Sequence, residues 1–346
     1  MGDVVINTRV LCAPVTGVQR YASELLTRWN GQVNPIAPDR APHGFAGHAW
    51  EQFVLPARLN GRLLFSPSNT GPLCVENQVV TIHDMAPFDW PQGFSPRFVA
   101  WYRFLLPRLA KRAKQTITVS EFVKERIIHH TNVPPNRVTV IPNGVSPRFC
   151  PETISGLDAV ITSLHLPSRH YILVVGSLEP RKNLARLFHA WARAWGRIPE
   201  NLWLVVAGGS GSARVFARVQ FESIPPRVFL ADRVDDSKLP SLYAGALGLA
   251  CVSLYEGFGL PLLEAMASGT PVLAGNGSSL PEVAGDAGIL VDPEDEEDIA
   301  KGILTLVENS ELRQALRRRG LLRARQFSWD ETARRTWRVL QTSAGS

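Results

Sequence analysis

The sequence predicts an α/β protein made of two doubly wound parallel-sheet domains in tandem. Three observations predict it. Short β-rich runs alternate with helical patterns along all 346 residues. Those runs are nearly continuous in Val, Ile and Leu, as strands buried on both faces of a parallel sheet are. A Pro/Gly/Ser-rich stretch, "GVSPRFCPETISGL" (144–157), then divides the alternation into two series. The length also favours two domains over one.

In the first series the expected strands are "VVINTR" (4–9), "RLLFSP" (62–67), "QVVTIHD" (78–84), "QTITVS" (115–120) and "RVTVIPN" (137–143), with helices near 17–29, 95–113 and 121–131. Pro107 is expected to kink the second of these helices. The second series runs "YILVVGS", "LWLVVAGG", "RVFLA", "ALGLACVS", "TPVLAG" and "GILVD", with helices between, and ends in the amphipathic segment "WDETARRTWRVLQTS". The expected domains are residues 1–150 and 165–328.

Composition excludes several classes. Hydrophobic content of 45% and charged content of 20% describe an ordinary globular protein. Apolar runs such as "YILVVG" (171–176) are strand-sized and too short to span a bilayer. "MGDVVINTRV" has no basic n-region and no apolar core, so no export signal is expected. Cysteines 12, 74, 150 and 251 lack metal-ligand spacing and read as free thiols of a reducing cytoplasm. Residues 1–145 hold 15 Lys and Arg against 9 Asp and Glu, while the remainder holds 22 of each. The whole positive surplus therefore lies in the first half and points to an anionic partner there. No nucleic-acid partner is expected.

Ligands of doubly wound sheets bind at the carboxyl ends of the strands. In "SLEPRKNL" (177–184), Arg181 and Lys182 follow a strand and precede a helix, where a diphosphate would meet fixed positive charge. A solvated basic turn is the competing reading. In "SLYEGFGLPLLEAMASGTP", Gly257 and Gly259 let backbone approach a ligand. Pro261 suits the first turn of a helix and Gly269 its C′ position. The amides around Gly259 and Leu260 then form a phosphate site at a positive helix end. Glu256 and Glu264 are suited to hydroxyl recognition, because a carboxylate accepts two hydrogen bonds in a fork. An exposed helix acid is the alternative for Glu264; an acid beside an apolar strand end, as Glu256 is, needs a partner. In the first half, His83 and Asp84 stand at the end of "VVTIHD", and Gly17 precedes a helix. The acidic run "DPEDEED" (292–298) reads as a helix N-cap rather than a metal site.

"EGFGLPLLEA" resembles the E-x7-E motif of retaining GT-B glycosyltransferases of family 4, which includes sucrose-synthase, mannosyltransferase and glycogen-synthase-like enzymes. "GSLEPRKNL", "VSEF" (119–122), "IPNGV" (141–145) and "LPEVAGDAGILVDPED" (280–295) resemble other stretches of that family, in its order and over nearly the whole chain. The resemblance implies a GT-B fold of two Rossmann-like domains facing a cleft. The N-terminal one would bind the acceptor and be joined by the closing helix, about residues 329–346. The C-terminal one would bind a nucleotide-sugar. Arg181 and Lys182 would neutralise the donor diphosphate without a metal or other cofactor. Glu256 would bind the donor sugar and Glu264 the ribose. Arg233 and Val234 would meet the base, and Ser177, Phe258, Gly259 and Leu260 would line the donor. His83 and Asp84 would touch the transferred sugar or the acceptor, and Gly17 the phosphate and acceptor.

"VTIHDMAPF" and "GSLEPRKNL" look most like bacterial polysaccharide mannosyltransferases, so GDP-mannose is the expected donor. Glucosyl or rhamnosyl donors on UDP or dTDP stay open, as do a nucleotide-sugar sensor and an epimerase on the same fold. A nicotinamide oxidoreductase would need G-x-G-x-x-G after the first strand of a βαβ unit; "GGSGSARV" (208–215) follows an internal strand. The acceptor is expected to be a glycan or lipid-linked glycan. Residues 94–114, "FSPRFVAWYRFLLPRLAKRAK", carry aromatics and six basic residues with no acid, which suits peripheral contact with an anionic inner leaflet. Helical spacing of Phe98, Trp101, Leu105 and Leu109 suits packing on the sheet equally.

Overall fold

The computed structural model of the chain describes residues 4–13, 15–40, 45–209 and 223–345. The chain forms two compact units, one of residues 1–89, 96–144 and 327–346 and one of 90–95 and 145–326.

The first unit is built on six strands: β1 (Val4–Asn7), β2 (Asn34–Ile36), β3 (Leu63–Ser66), β4 (Gln78–Ile82), β5 (Gln115–Thr118) and β6 (Val138–Val140). They lie in the order β2-β1-β3-β4-β5-β6, all parallel. Val5, Leu64, Val80 and Ile117 are fully buried, as the continuous apolar runs require. The β2 edge strand was not expected. It is three residues long with Pro35 at its centre, and proline is tolerated in a sheet at such an edge. The helix Pro96–Arg112 runs unbroken through Pro107, where a kink was expected. Leu105, Leu106, Leu109 and Ala110 bury one face of it, and that packing outweighs the hydrogen bond Pro107 cannot make.

The closing helix, Trp329–Gly345, completes this unit. The Trp329 ring lies 6.2 Å from that of Tyr21, and Trp337 lies 5.6 Å from Trp29. Thr332 Oγ1 donates to the Pro142 carbonyl at 2.7 Å. A Cβ at Gly144 would come within 2.1 Å of the Trp329 backbone nitrogen, so only glycine fits where the helix begins.

The second unit holds β7 (His170–Val175), β8 (Leu202–Ala207), β9 (Val228–Leu230), β10 (Gly248–Cys251), β11 (Val272–Gly275) and β12 (Gly288–Val291), in the parallel order β12-β11-β10-β7-β8-β9. Its core joins Ile172, Leu204, Ala250 and Leu273 of the sheet to Leu187, Phe188 and Trp191 of the helix Leu184–Ala194. Asp295 caps the helix Glu296–Glu308 by accepting from the Glu297 and Asp298 amides, so the acidic run is a helix start. Part of the stretch read as a connector is helical: Pro151–Gly156 is a 3-10 segment that leads into the helix Leu157–Leu164. Residues 210–215 of the glycine-rich "GGSGSARV" lie outside the described residues.

Candidate functional site

The helix Leu260–Ala267 begins just beyond β10. Gly259 enters it at φ +100°, and a Cβ there would sit 2.8 Å from Leu280 Cδ2. The left-handed φ is the condition that calls for glycine. Pro261 occupies the first turn. The helix closes as a Schellman motif: the Gly269 amide donates to Met266 and the Thr270 amide to Ala265, with Gly269 at φ +74°. The peptide signals read from "GLPLLEAMASGTP" therefore correspond to a real start and stop.

Glu256, 6% exposed, lies at the centre of a charged cluster. Lys182 Nζ donates to its Oε1 at 2.6 Å, Arg181 Nη1 to its Oε2 at 3.3 Å, and Ser253 Oγ to Oε1 at 2.8 Å. Burial alone would raise the Glu256 carboxyl, but the Lys182 and Arg181 charges and the hydrogen bonds from Lys182 and Ser253 hold it below the usual carboxylate range. Arg181 is gripped from its other side by buried Glu179, with Nε 2.8 Å from Oε2 and Nη2 3.1 Å from Oε1. Ser177 Oγ donates to the same Glu179 at 2.8 Å. Asn183 donates through Nδ2 to the carbonyls of Val252 and Pro293, which ties the basic turn to the loops beyond β10 and β12. The cluster thus presents two cations and two carboxylates at the carboxyl ends of β7 and β10.

The structure brings Arg181, Lys182, Glu256 and Ser177 together. Glu264 is set apart: it is 5% exposed, on the helix, and accepts from the buried Tyr243 hydroxyl at 3.0 Å. It is no solvated helix acid. Phe258 is buried, and Leu260 opens the helix. Arg233 and Val234 follow β9, with Gly209 beside Arg233, and the Gly209 carbonyl accepts from the Leu178 amide at 3.1 Å. That bond links the β8 end to the basic turn.

In the first unit His83 is 7% exposed. Its Nε2 lies 2.7 Å from the Pro67 carbonyl, so this nitrogen carries the hydrogen, and its ring meets Tyr21 edge-on at 4.8 Å. Burial lowers its pKa to about 4, against a smaller opposing effect of the Pro67 bond, so the ring is neutral near pH 7. Asp84 follows it and accepts from the Ala86 amide at 3.1 Å. Gly17 is the first residue of the helix Gly17–Arg28, which carries Tyr21. Sequence reasoning missed Glu179, Ser253 and Tyr243. Glu179 had a signal, an acid two residues before Arg181; Tyr243, 21 residues from its partner, had none.

Two parallel-sheet units with these side chains at the ends of their strands have the GT-B architecture. Residues 163–323 match the family described as "Glycosyl transferases group 1", and residues 75–149 match "Glycosyltransferase Family 4". Over 267 residues the chain is 33% identical to the O-antigen chain mannosyltransferase B of Escherichia coli, covering 77% of this chain and 70% of that protein. It is 30% identical over 242 residues to the O-antigen chain mannosyltransferase RfbU of Salmonella typhimurium, covering 69% and 63%. The chain belongs to glycosyltransferase family 4. Among solved structures, sucrose-phosphate synthase from Thermosynechococcus elongatus matches with a TM-score of 0.75 at 19% identity, covering 99% of each chain. WaaG, a glycosyltransferase involved in lipopolysaccharide biosynthesis, matches at 0.73 and 17%, covering 97% of this chain and 99% of that one.

Proposed function

We propose that the chain transfers mannose from GDP-mannose, with retention of anomeric configuration and without a metal, to a glycan or lipid-linked glycan acceptor in cell-surface polysaccharide synthesis. The observation that carries the reading is the convergence of Lys182 and Arg181 on Glu256 at the ends of β7 and β10. A carboxylate oxygen there occupies the kind of position a phosphate oxygen would take. On donor binding the diphosphate becomes the partner of the two cations, and Glu256 turns to hydroxyls of the sugar. Arg181 and Lys182 then face charge that grows as the glycosidic bond breaks, which is where preorganised charge accelerates a reaction. The bond from the anomeric carbon to the diphosphate oxygen breaks and its electron pair leaves with the diphosphate. The acceptor hydroxyl bonds to that carbon on the same face, and its proton passes to a phosphate oxygen. Glu264 holds the ribose, Arg233 and Val234 the base, and Ser177, Phe258, Gly259 and Leu260 line the donor. Neutral His83, with Asp84 and Gly17, provides hydroxyl and phosphate contacts in the first unit. The mannose assignment is supported by the two O-antigen mannosyltransferases, of which that activity is said.

A thermal-shift screen over GDP, UDP, dTDP and their sugars tests the donor. GDP and GDP-mannose should stabilise the protein, by about 2.7 kcal/mol at a hundredfold excess over Kd. A shift with UDP alone would reassign the base, and no shift with any nucleotide would remove the donor reading. EDTA should leave turnover intact; loss restored by magnesium or manganese would overturn the metal-free mechanism.

The location belongs to the same proposal: cytoplasmic, at the inner face of the membrane. No helix among the described residues is long and apolar enough to cross a bilayer. Support for a peripheral contact comes from Phe104, 44% exposed under the Arg108 guanidinium at 3.9 Å, and from exposed Phe45 and Phe53 in the same unit.

A further inference from the structure

The backbone of Glu256 is held by two side chains that its carboxylate does not touch. The Glu256 amide donates to Ser278 Oγ at 3.1 Å, and the Glu256 carbonyl accepts from Ser279 Oγ at 2.9 Å. Both serines lie in the turn 276–279, between β11 and the helix Leu280–Ala284, within the second unit. Two consecutive hydroxyls thus pair with both backbone polar groups of one residue. On the other flank the Leu254 amide donates to the Arg181 carbonyl at 2.8 Å, and Arg181 Nη1 to the Tyr255 carbonyl at 3.3 Å. The segment 254–256 is therefore fixed from the β7 side and from the β11 side.

Ser278 makes its bond from a strained backbone. Its φ is +56°, in the left-handed region that side chains other than Asn and Asp rarely adopt. Residues held there cluster at functional sites. Gly277, beside it, has no such φ and open space where a Cβ would stand, so the glycine is one position away from where strain alone would put it. What serine supplies at 278, and glycine cannot, is the hydroxyl on Glu256. Ser279 is fully buried, so water does not compete for its bond to the Glu256 carbonyl. With its backbone pinned, Glu256 can move its carboxylate only by rotating its own side chain.

We infer that Ser278 and Ser279 are positioning residues for Glu256: they fix the pivot from which its carboxylate swings between the two cations and the donor sugar, and so set how firmly the sugar, rather than the nucleotide, is held. The part concerning the sugar rests on the donor reading above; the clamp on Glu256 does not. A preorganised acceptor binds hydroxyls more tightly than one that must first be ordered. The nucleoside contacts proposed for Glu264, Arg233 and Val234 do not pass through either serine, so a nucleotide without its sugar should be indifferent to the clamp.

The test uses the full chain and titration calorimetry with GDP and with GDP-mannose. Ser278→Gly removes the hydroxyl and relieves the strain, so the melting temperature should match the wild type. The ratio of the GDP-mannose Kd to the GDP Kd should rise about tenfold, the loss expected for one hydrogen bond to a charged group. Ser278→Asn, which tolerates the same φ and keeps a side-chain oxygen that accepts, should restore most of the ratio. An unchanged ratio, or both Kd values rising together, overturns the proposal. A second measurement needs no nucleotide: the loss of stability to urea caused by Lys182→Met, in the wild type and in Ser278→Gly. It should be smaller in Ser278→Gly, because an unclamped Glu256 can turn to water, and strictly additive losses overturn the clamp. A wild type that binds neither GDP nor GDP-mannose, with that coupling present, sinks the donor reading and leaves the clamp standing.

Discussion

Lys182 Nζ and Glu256 Oε1 lie 2.6 Å apart across 74 residues of sequence, and Ser253 and Arg181 bond to the same carboxylate. Neither cation is loose on the surface; each is aimed by a buried acid. Lys182→Met should lower kcat on the order of 10²–10³-fold, as loss of a preorganised charge partner does. It should also destabilise the fold, because Glu256 loses one of its cations. Adding Glu256→Gln should recover stability without recovering turnover. Recovery of both by the double variant would show that the pair is structural only.

The Tyr243 hydroxyl fixes Glu264 from below. Tyr243→Phe should raise donor KM severalfold, in keeping with roughly 0.5–1.5 kcal/mol for one hydrogen bond, and leave kcat near normal. Glu264→Ala should raise KM further, again more than it lowers kcat, because the proposed ribose contacts would persist in the ground and transition states alike. A large fall in kcat at unchanged KM would contradict the ribose assignment.

Two histidines, one buried and one partly buried, give the fold an acid limit. His48 and His83 are each held near pKa 4, chiefly by burial. The unfolded chain protonates them near 6.5, so it binds more protons than the folded chain between about 6.5 and 4. Stability is therefore full above that window and falls as pH drops through it, by up to roughly 3 kcal/mol per histidine. Glu256, with its lowered value, adds a further loss at more acid pH. Urea melts from pH 7.5 to 4.5 check the sign, and His83→Gln should flatten the curve. A flat wild-type profile would refute it.

The structure narrows the membrane test. Arg103 donates to the Pro87 and Phe88 carbonyls, Arg112 pairs with Glu76, and Lys114 donates to the Ser343 carbonyl. Arg108 stands over exposed Phe104, and Arg97 and Lys111 are exposed. Sedimentation with anionic vesicles at low salt should show binding that fades as salt rises. Neutralising Arg97, Arg108 and Lys111 should abolish it. No binding at low salt would point to a soluble acceptor.

Much of the fold was legible because parallel strands are buried on both faces and so leave unbroken Val/Ile/Leu runs. β2 left no such trace, being three residues around Pro35. The helical turn at Trp50–Val54 has no apolar period to announce it, since one of its inward residues is Glu51. Arg181, Lys182 and Glu256 were readable because each follows a strand. What held them was not. Glu179 went unread, and the partners of Glu51, at positions 7, 9 and 70, are brought together by topology alone.

The closing helix against Tyr21, Trp29 and Gly144 has a consequence for how the protein is made. A chain emerging from the ribosome cannot finish its first unit until residues 329–345 exist, whereas nearly all of the second is one continuous segment, 145–326. At about 5–20 residues per second, the earlier-made part of the first unit waits on the order of ten seconds or more with Tyr21 and Trp29 lacking the Trp329 and Trp337 rings they pack against. The order of completion is therefore the reverse of the order of synthesis. Protease digestion of stalled chains checks it: those ending near 326 should yield a resistant second unit and a digestible first. A first unit already resistant at that length would show that the helix only decorates it.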